Sequence, residues 1–479
     1  MSIKAINRRV DRPHVFAVVC ICFGLLGLVS LSLASTAQST GSALAYSILL
    51  PACVIICALY RHPLAAACLV AFLVPLNYPT TQIPFLETST ELLLVVFTPL
   101  FLRSWLSQRG ELGRELALTS MLLSGGLFAL IASDSELAAW GFIRWVLAAN
   151  LLLGLIAILR TERGTIRAGG MAGDRIFWLA ILSGALICAV FGIRQRAGAI
   201  VFVGAPYKPP NIDSTFGFYS NYTAYLAFAS VVGILLLVDK KLGVRTRTYV
   251  LVSTCVVVSQ LAQGMSRGSI LFVAIALLVA LAVLAVKSPG RSLSLLAISS
   301  IGVLAVYLFT PPRVLEEFTL RFIQDQGGDV YRSSLQRAGW NLLVENPFGL
   351  GFGGFVEALR SDSSRAYVAL AHPHRLWTEL GLELGWIGLV AICVLIGIAL
   401  GRSLRTSLKQ LNMSDLIAGA CLAGFAVQGW VDYFFFETSN LVGFVFILAA
   451  SLVGPLKRVA PRSRTRDTRS NTLRQGVFS

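Results

Sequence analysis

Apolar runs as long as a bilayer is thick recur along the whole chain. A helix needs about 20 mainly apolar residues to cross the hydrocarbon core. Candidate segments of this kind are centred in 14–34, 41–60, 63–79, 89–102, 116–132, 137–159, 176–193, 221–238, 248–265, 268–286, 292–310, 376–400, 413–434 and 440–456. They predict an all-α polytopic membrane protein with about 14 transmembrane helices. Segments 63–79 and 89–102 are short and interrupted by Pro75 and Pro99, so twelve spans is the alternative count. Composition agrees, with 56% hydrophobic and only 13% charged residues, about half the charge of a soluble domain. That excludes a soluble multidomain enzyme, a disordered chain and a secreted disulfide scaffold.

The basic residues test the register, because cytoplasmic loops hold the excess of Lys and Arg. With the N-terminus inside, 28 of the 40 Lys and Arg fall in loops on that side and 11 on the other, while Arg144 lies within a span. The predicted organisation is a cytoplasmic N-terminus (1–13), eleven spans (14–310), a large extracytoplasmic loop (311–375), three more spans (376–456) and a basic cytoplasmic tail (457–479). The net charge of +16 then reflects topology, and the tail suits anionic lipid rather than nucleic acid. All nine cysteines fall in apolar spans without metal-ligand spacing, as packing residues would.

Two outside segments are long, 194–220 and 311–375, and long ordered loops are commonly functional. The second carries two amphipathic stretches, VLEEFTLRFIQDQ and SLQRAGWNLLVE, that predict short helices. Their apolar faces are Val314/Phe318/Phe322 and Leu335/Trp340/Leu343. A glycine run, NPFGLGFGGF at 346–355, follows. Gly349, Gly351, Gly353 and Gly354 permit positive-φ backbone and close approach of a ligand or a helix. Arg267 stands between two apolar spans in QGMSRGSILF, either as a functional cation or as a snorkelling interfacial residue. His372 and His374, two of only four histidines, open the span AHPHRLWTELGLELGWIGLV at 371–390. They fit either a general base at the membrane boundary or a polar helix start with small residues for packing.

The spacing His374-x8-Glu383-x-Gly385-x2-Gly388 resembles the signature of the O-antigen ligase/O-antigen polymerase family. SRGS at 266–269 is similar to that family's SRG element, and YRSSLQRAGWNLLVENPFGLGFGGF at 331–355 to its R…W…NP..G.G…F element. FYSNYTAYLAF at 218–228 is similar to its span opening with Asn221. Together these cover about 216–390. Arg375 stands where the family usually has Asn, and Gln336 where it has an aromatic residue.

The resemblance implies a GT-C-like glycosyltransferase in the bacterial inner membrane. Its donor would be an undecaprenyl-diphosphate-linked glycan and its acceptor a hydroxyl on lipid, glycan or protein. Catalysis would rest on His374, Arg267 and Arg332. Arginine binds a diphosphate by bidentate, permanently charged hydrogen bonds, and Arg337 lies close in sequence. Arg194, Arg196 and Lys208 could steer the anionic donor or simply solvate their loop. Arg375 and Asn221 complete the substrate-contact candidates. Glu383, about two and a half turns beyond His374, suits a packing or polar-network role. The outside acids show no DxD or comparable spacing, so the transfer is expected to need no metal and no cofactor. The alternative function is a polysaccharide or lipid-linked oligosaccharide flippase, which would show internal repeats and mid-membrane charges. A glycan polymerase of the shape, elongation and division type would show its own catalytic-aspartate pattern, and a non-enzymatic scaffold would bind without turnover.

Overall fold

The computed structural model describes residues 62–77, 88–133, 137–163, 172–197, 219–264, 266–309, 326–361, 373–433 and 437–453, with isolated positions at 214, 312, 316 and 435. The predicted spans at 14–34 and 41–60, Lys208, most of the first amphipathic stretch, His372 and the basic tail lie outside the described residues.

Fourteen α-helices occupy the described residues: α1 Pro63–Leu73, α2 Ser89–Leu106, α3 Gly113–Ala132, α4 Ala138–Arg163, α5 Gly173–Arg196, α6 Tyr219–Leu237, α7 Val244–Gly264, α8 Arg267–Lys287, α9 Pro289–Phe309, α10 Gln326–Glu345, α11 Gly354–Ser361, α12 Leu376–Lys409, α13 Met413–Gln428 and α14 Thr438–Leu452. Twelve coincide with predicted spans. Helix α10 contains the second amphipathic stretch, and α11, absent from the sequence reading, follows the glycine run. Among the described residues eight helices are long and apolar enough to cross a membrane, against the fourteen spans expected, whereas α1, α13 and α14 are apolar but shorter. On this footing the protein is a multi-pass membrane protein, helical throughout its regular elements among the described residues.

Helices α6, α13 and α14 sit in the middle of the bundle. A helix apolar on every side belongs in such a core, and every residue of α14 is buried. Aromatic rings fill the centre edge to face: Phe177–Phe446 at 5.4 Å and Phe272–Phe425 at 5.0 Å between centroids. Such pairs add about 0.5–1.5 kcal/mol beyond area burial. Helix α9 instead turns Leu293, Leu296, Ile301, Val303 and Leu308 outward, as a lipid-facing helix does. Helix α2 continues through Pro99. Asn150 of α4 donates to the Thr98 carbonyl at 3.2 Å and accepts from the Trp105 indole at 3.0 Å, which ties α2 to α4 beside the proline.

Polar contacts separate the two ends of the bundle along the predicted register. At one end Arg175 pairs with buried Asp239 at 2.7 Å, and Arg160 and Arg402 approach Glu115 at 3.2 and 3.8 Å. All of these residues belong to loops or helix ends assigned to the cytoplasmic side. At the other end Asn77 donates to Glu437 at 2.6 Å, Thr438 to Glu91 at 2.6 Å, and Arg144 to the Phe435 carbonyl at 2.6 Å. The candidate site lies at this second end.

Candidate functional site at the start of helix α12

The glycine run and the E-x-G-x-x-G pattern form one structural unit. Helix α12 is broken at Gly385, whose φ of 65° is left-handed. The break exposes backbone groups that the run 346–354 satisfies. Leu350 and Gly351 donate to the Leu382 carbonyl at 2.6 and 3.1 Å, and Trp386 donates to the Pro347 carbonyl at 3.0 Å. Gly349, Gly351 and Gly353 all have positive φ, the conformation that only glycine adopts without strain. A Cβ on Gly349 would stand 2.7 Å from the Gly385 nitrogen, and one on Gly385 2.7 Å from the Phe348 carbonyl. The close approach expected of these glycines is therefore to a helix. Gly388 serves the other side of α12, where a Cβ on Gly125 of α3 would meet the Gly388 nitrogen at 2.5 Å.

This docking aligns α10 along the beginning of α12. Gly339 lies against Pro373 and Thr378, and Leu343 against Gly381. Arg332 is seven residues before Gly339, two turns back on the same helix face, so it projects beside residue 374. Arg337, five residues on, is rotated about 140° away and is exposed. Arg332 and His374 are half-buried. His374 has a φ of 51°. A left-handed backbone is rare outside glycine, and such positions cluster at functional sites. The next residue, Arg375, caps α12 in extended conformation, and the Leu376 N–H donates to the Gly429 carbonyl at 2.9 Å. That bond pins the start of α12 to the end of α13.

The segment after α13 supplies residues that the sequence reading did not single out. Asp432 lies within electrostatic reach of Arg332. Burial pushes its carboxyl up to about 6, although the Tyr433 N–H and Arg332 pull it down. Its Cβ is 3.5 Å from the position a Cβ would take on Gly268, the residue after Arg267. The Asp432 side chain thus adjoins the N-terminus of α8, capped by Ser266, and feels the Arg332 charge. Burial and the Arg332 charge push His374 down to about 4, so its imidazole is neutral at ordinary pH.

Beneath these groups lies a buried polar network. Glu383 accepts from the Tyr433 hydroxyl at 2.7 Å and from the Trp145 indole at 3.2 Å. Arg144 supplies the positive charge nearby and sits 4.9 Å above the Phe352 ring, a cation–π distance. This ties α4, α12, the glycine run and the 429–435 segment together. An arginine inside an apolar span was itself a sequence signal for such a role. Of the other candidates, Arg196 bonds Gln263 of α7. Arg194 is exposed. Asn221 is buried, and its carbonyl accepts from Asn440 at 3.2 Å. Arg375 is half-buried, with its Nε unpartnered.

A family model described as O-antigen ligase matches residues 248–393. This stretch is similar to an O-antigen ligase domain. It runs from α7 through the break in α12 and therefore includes Arg267, Arg332, His374, Glu383 and Gly385. The match overlaps the stretch 216–390 over which the resemblance was read, and it covers less than a third of the chain. Arg144, residues 429–433 and Phe435, which complete the candidate site described above, lie outside the matched residues. No curated protein matches the chain.

Proposed function

We propose that this protein transfers a glycan from a polyprenyl-diphosphate carrier to an acceptor hydroxyl on the extracytoplasmic face of the bacterial inner membrane. The observation that carries this reading is that the Arg332 charge acts on both His374 and Asp432, with Arg267 beginning the adjacent helix α8. In the transfer, the acceptor oxygen attacks the anomeric carbon of the donor sugar. The bond from that carbon to the phosphate oxygen breaks, and its electron pair leaves with the diphosphate. His374 takes the proton released by the acceptor hydroxyl. Such base assistance contributes about 10²–10⁴-fold. Arg267 and Arg332 hold the diphosphate and stabilise the charge that develops on it, as preorganised donors do in a site of low dielectric.

The arrangement also relates the state of the base to occupancy. The Arg332 charge helps to keep His374 neutral while the site is empty. An anionic diphosphate on Arg332 would offset that charge and make the imidazole more basic as the substrate arrives. Asp432 holds Arg332 electrostatically until then. No divalent metal enters this scheme.

The test is glycan transfer by the purified protein in nanodiscs, with a polyprenyl-diphosphate oligosaccharide donor and EDTA present. The expected result is transfer that EDTA does not reduce and that Arg267→Ala abolishes. Translocation of the donor without transfer would favour the flippase, and a divalent-metal requirement would overturn the metal-free scheme.

A further inference from the structure

Gln428, the last residue of α13, is 1% exposed, and neither its carboxamide oxygen nor its nitrogen has a hydrogen-bond partner. Among the described residues it is the one buried side-chain amide with both polar atoms unmatched. Buried polar groups are ordinarily paired, so a carboxamide open at both ends is set for a partner that the protein itself does not supply. Its Nε2 lies 3.6 Å, and its Cγ 3.5 Å, from the position a Cβ would take on Gly268.

Gly268 is unlike the packing glycines nearby. A Cβ on Gly264 would lie 2.0 Å from a Thr223 methyl, and one on Gly339 2.7 Å from Pro373. At Gly268 a Cβ would make only ordinary contacts of 3.5 Å or more, and its φ is not left-handed. Neither packing nor backbone conformation therefore demands glycine there. Its missing side chain leaves a small notch, with room for about one methyl-sized group, beside Gln428 and Asp432 at the N-terminus of α8.

The chemistry of the notch selects its occupant. Phosphate oxygens only accept hydrogen bonds, so a phosphate would satisfy Nε2 and leave the carboxamide oxygen bare, and it would face the Asp432 carboxylate. A sugar hydroxyl both donates and accepts, and two neighbouring hydroxyls match both ends of the carboxamide. We infer that Gln428 and the notch over Gly268 form a subsite for a pair of neighbouring sugar hydroxyls next to the diphosphate clamp. This rests on the glycan-transfer reading. The hydroxyls can belong to the donor sugar joined to the diphosphate or to an acceptor sugar, and the kinetics separate the two.

The experiment measures steady-state transfer by the full-length protein in nanodiscs for wild type, Gln428→Leu and Gly268→Ala. A polyprenyl-diphosphate disaccharide donor and a saccharide acceptor are varied in turn. Each variant is expected to raise the KM of one substrate about tenfold, the loss of roughly one hydrogen bond, with kcat within threefold of wild type. A rise in donor KM assigns the hydroxyls to the donor sugar, and a rise in acceptor KM assigns them to the acceptor. A deoxy analogue of that substrate should be handled alike by wild type and Gln428→Leu. Unchanged KM values for both substrates would overturn the subsite and leave the transferase reading standing. Absence of transfer by wild type would overturn the transferase reading and the subsite with it. Gly268→Ala, whose added methyl meets only ordinary contacts, decides the matter if Gln428→Leu fails to fold.

Discussion

Replacing Gly385 with alanine should undo the joint between the glycine run and α12. The substitution places a Cβ 2.7 Å from the carbonyl carbon and oxygen of Phe348, too close for either backbone to stay where it is. The combination of φ 65° and ψ 177° is open essentially to glycine alone and costs another residue about 1–3 kcal/mol. Retreat of the run breaks the bonds from Leu350, Gly351 and Trp386, each contributing about 1 kcal/mol. The sum is about 4 kcal/mol of local stability, a factor of about 10³ in the opening equilibrium. Hydrogen exchange followed by mass spectrometry reads this directly. Protection of the peptide containing Leu350 and Gly351 should fall by two to three orders of magnitude, while the core helix α14 keeps its protection. Transfer should fall as well, because the same joint aligns α10 and so aims Arg332. Unchanged exchange at Leu350 and Gly351 in Gly385→Ala would refute the reasoning, since neither the steric nor the conformational cost could then be real.

Three other expectations are tied to single side chains. The chain has four histidines, so labelled imidazole signals can be assigned by substitution. His374 should titrate near 4 rather than at its ordinary 6.5, staying neutral and competent as a base through the whole range above that. Arg332→Gln removes a positive charge that disfavours the imidazolium, so the titration should move upward; a shift downward, or a wild-type value at 6.5, would contradict the placement. Glu383→Ala removes the carboxylate that accepts from the Tyr433 hydroxyl and the Trp145 N–H and that lies near the Arg144 charge. It should cost about 3–5 kcal/mol, seen as a marked drop in Tm in detergent, and an unchanged Tm would remove the network from the account. Arg337→Ala should retain transfer within a few-fold while Arg332→Ala loses it by at least 10²-fold, because the two lie on different faces of α10; equal losses would show that the face assignment fails.

The spans were legible because hydropathy and charge alternation are local signals. Segment 116–132 became Gly113–Ala132 and 268–286 became Arg267–Lys287, with differences of a few residues at their ends. Segment 413–434 ended early, at Gln428, because the chain turns at Gly429 and the following residues pack back on the start of α12. The spacing from His374 to Gly388 and the glycine run could each be read as motifs. Their engagement with each other across a broken helix could not, since it depends on backbone geometry at Gly385. Arg144 contacts the Phe435 carbonyl 291 residues away, a pairing that no periodicity encodes. Asp432 was visible only as one of the outside acids without metal-ligand spacing, and Gln428 as nothing more than a polar residue near a span end.

The claim at the centre of this account is that His374 and the two arginines act on one diphosphate-linked donor. Single-turnover transfer in nanodiscs, with the glycan and the carrier separately labelled, tests it most directly. Wild type should release one polyprenyl diphosphate for each glycan joined to acceptor. His374→Ala should retain donor binding and release neither product. Stoichiometric transfer by His374→Ala at a rate near that of wild type would contradict it.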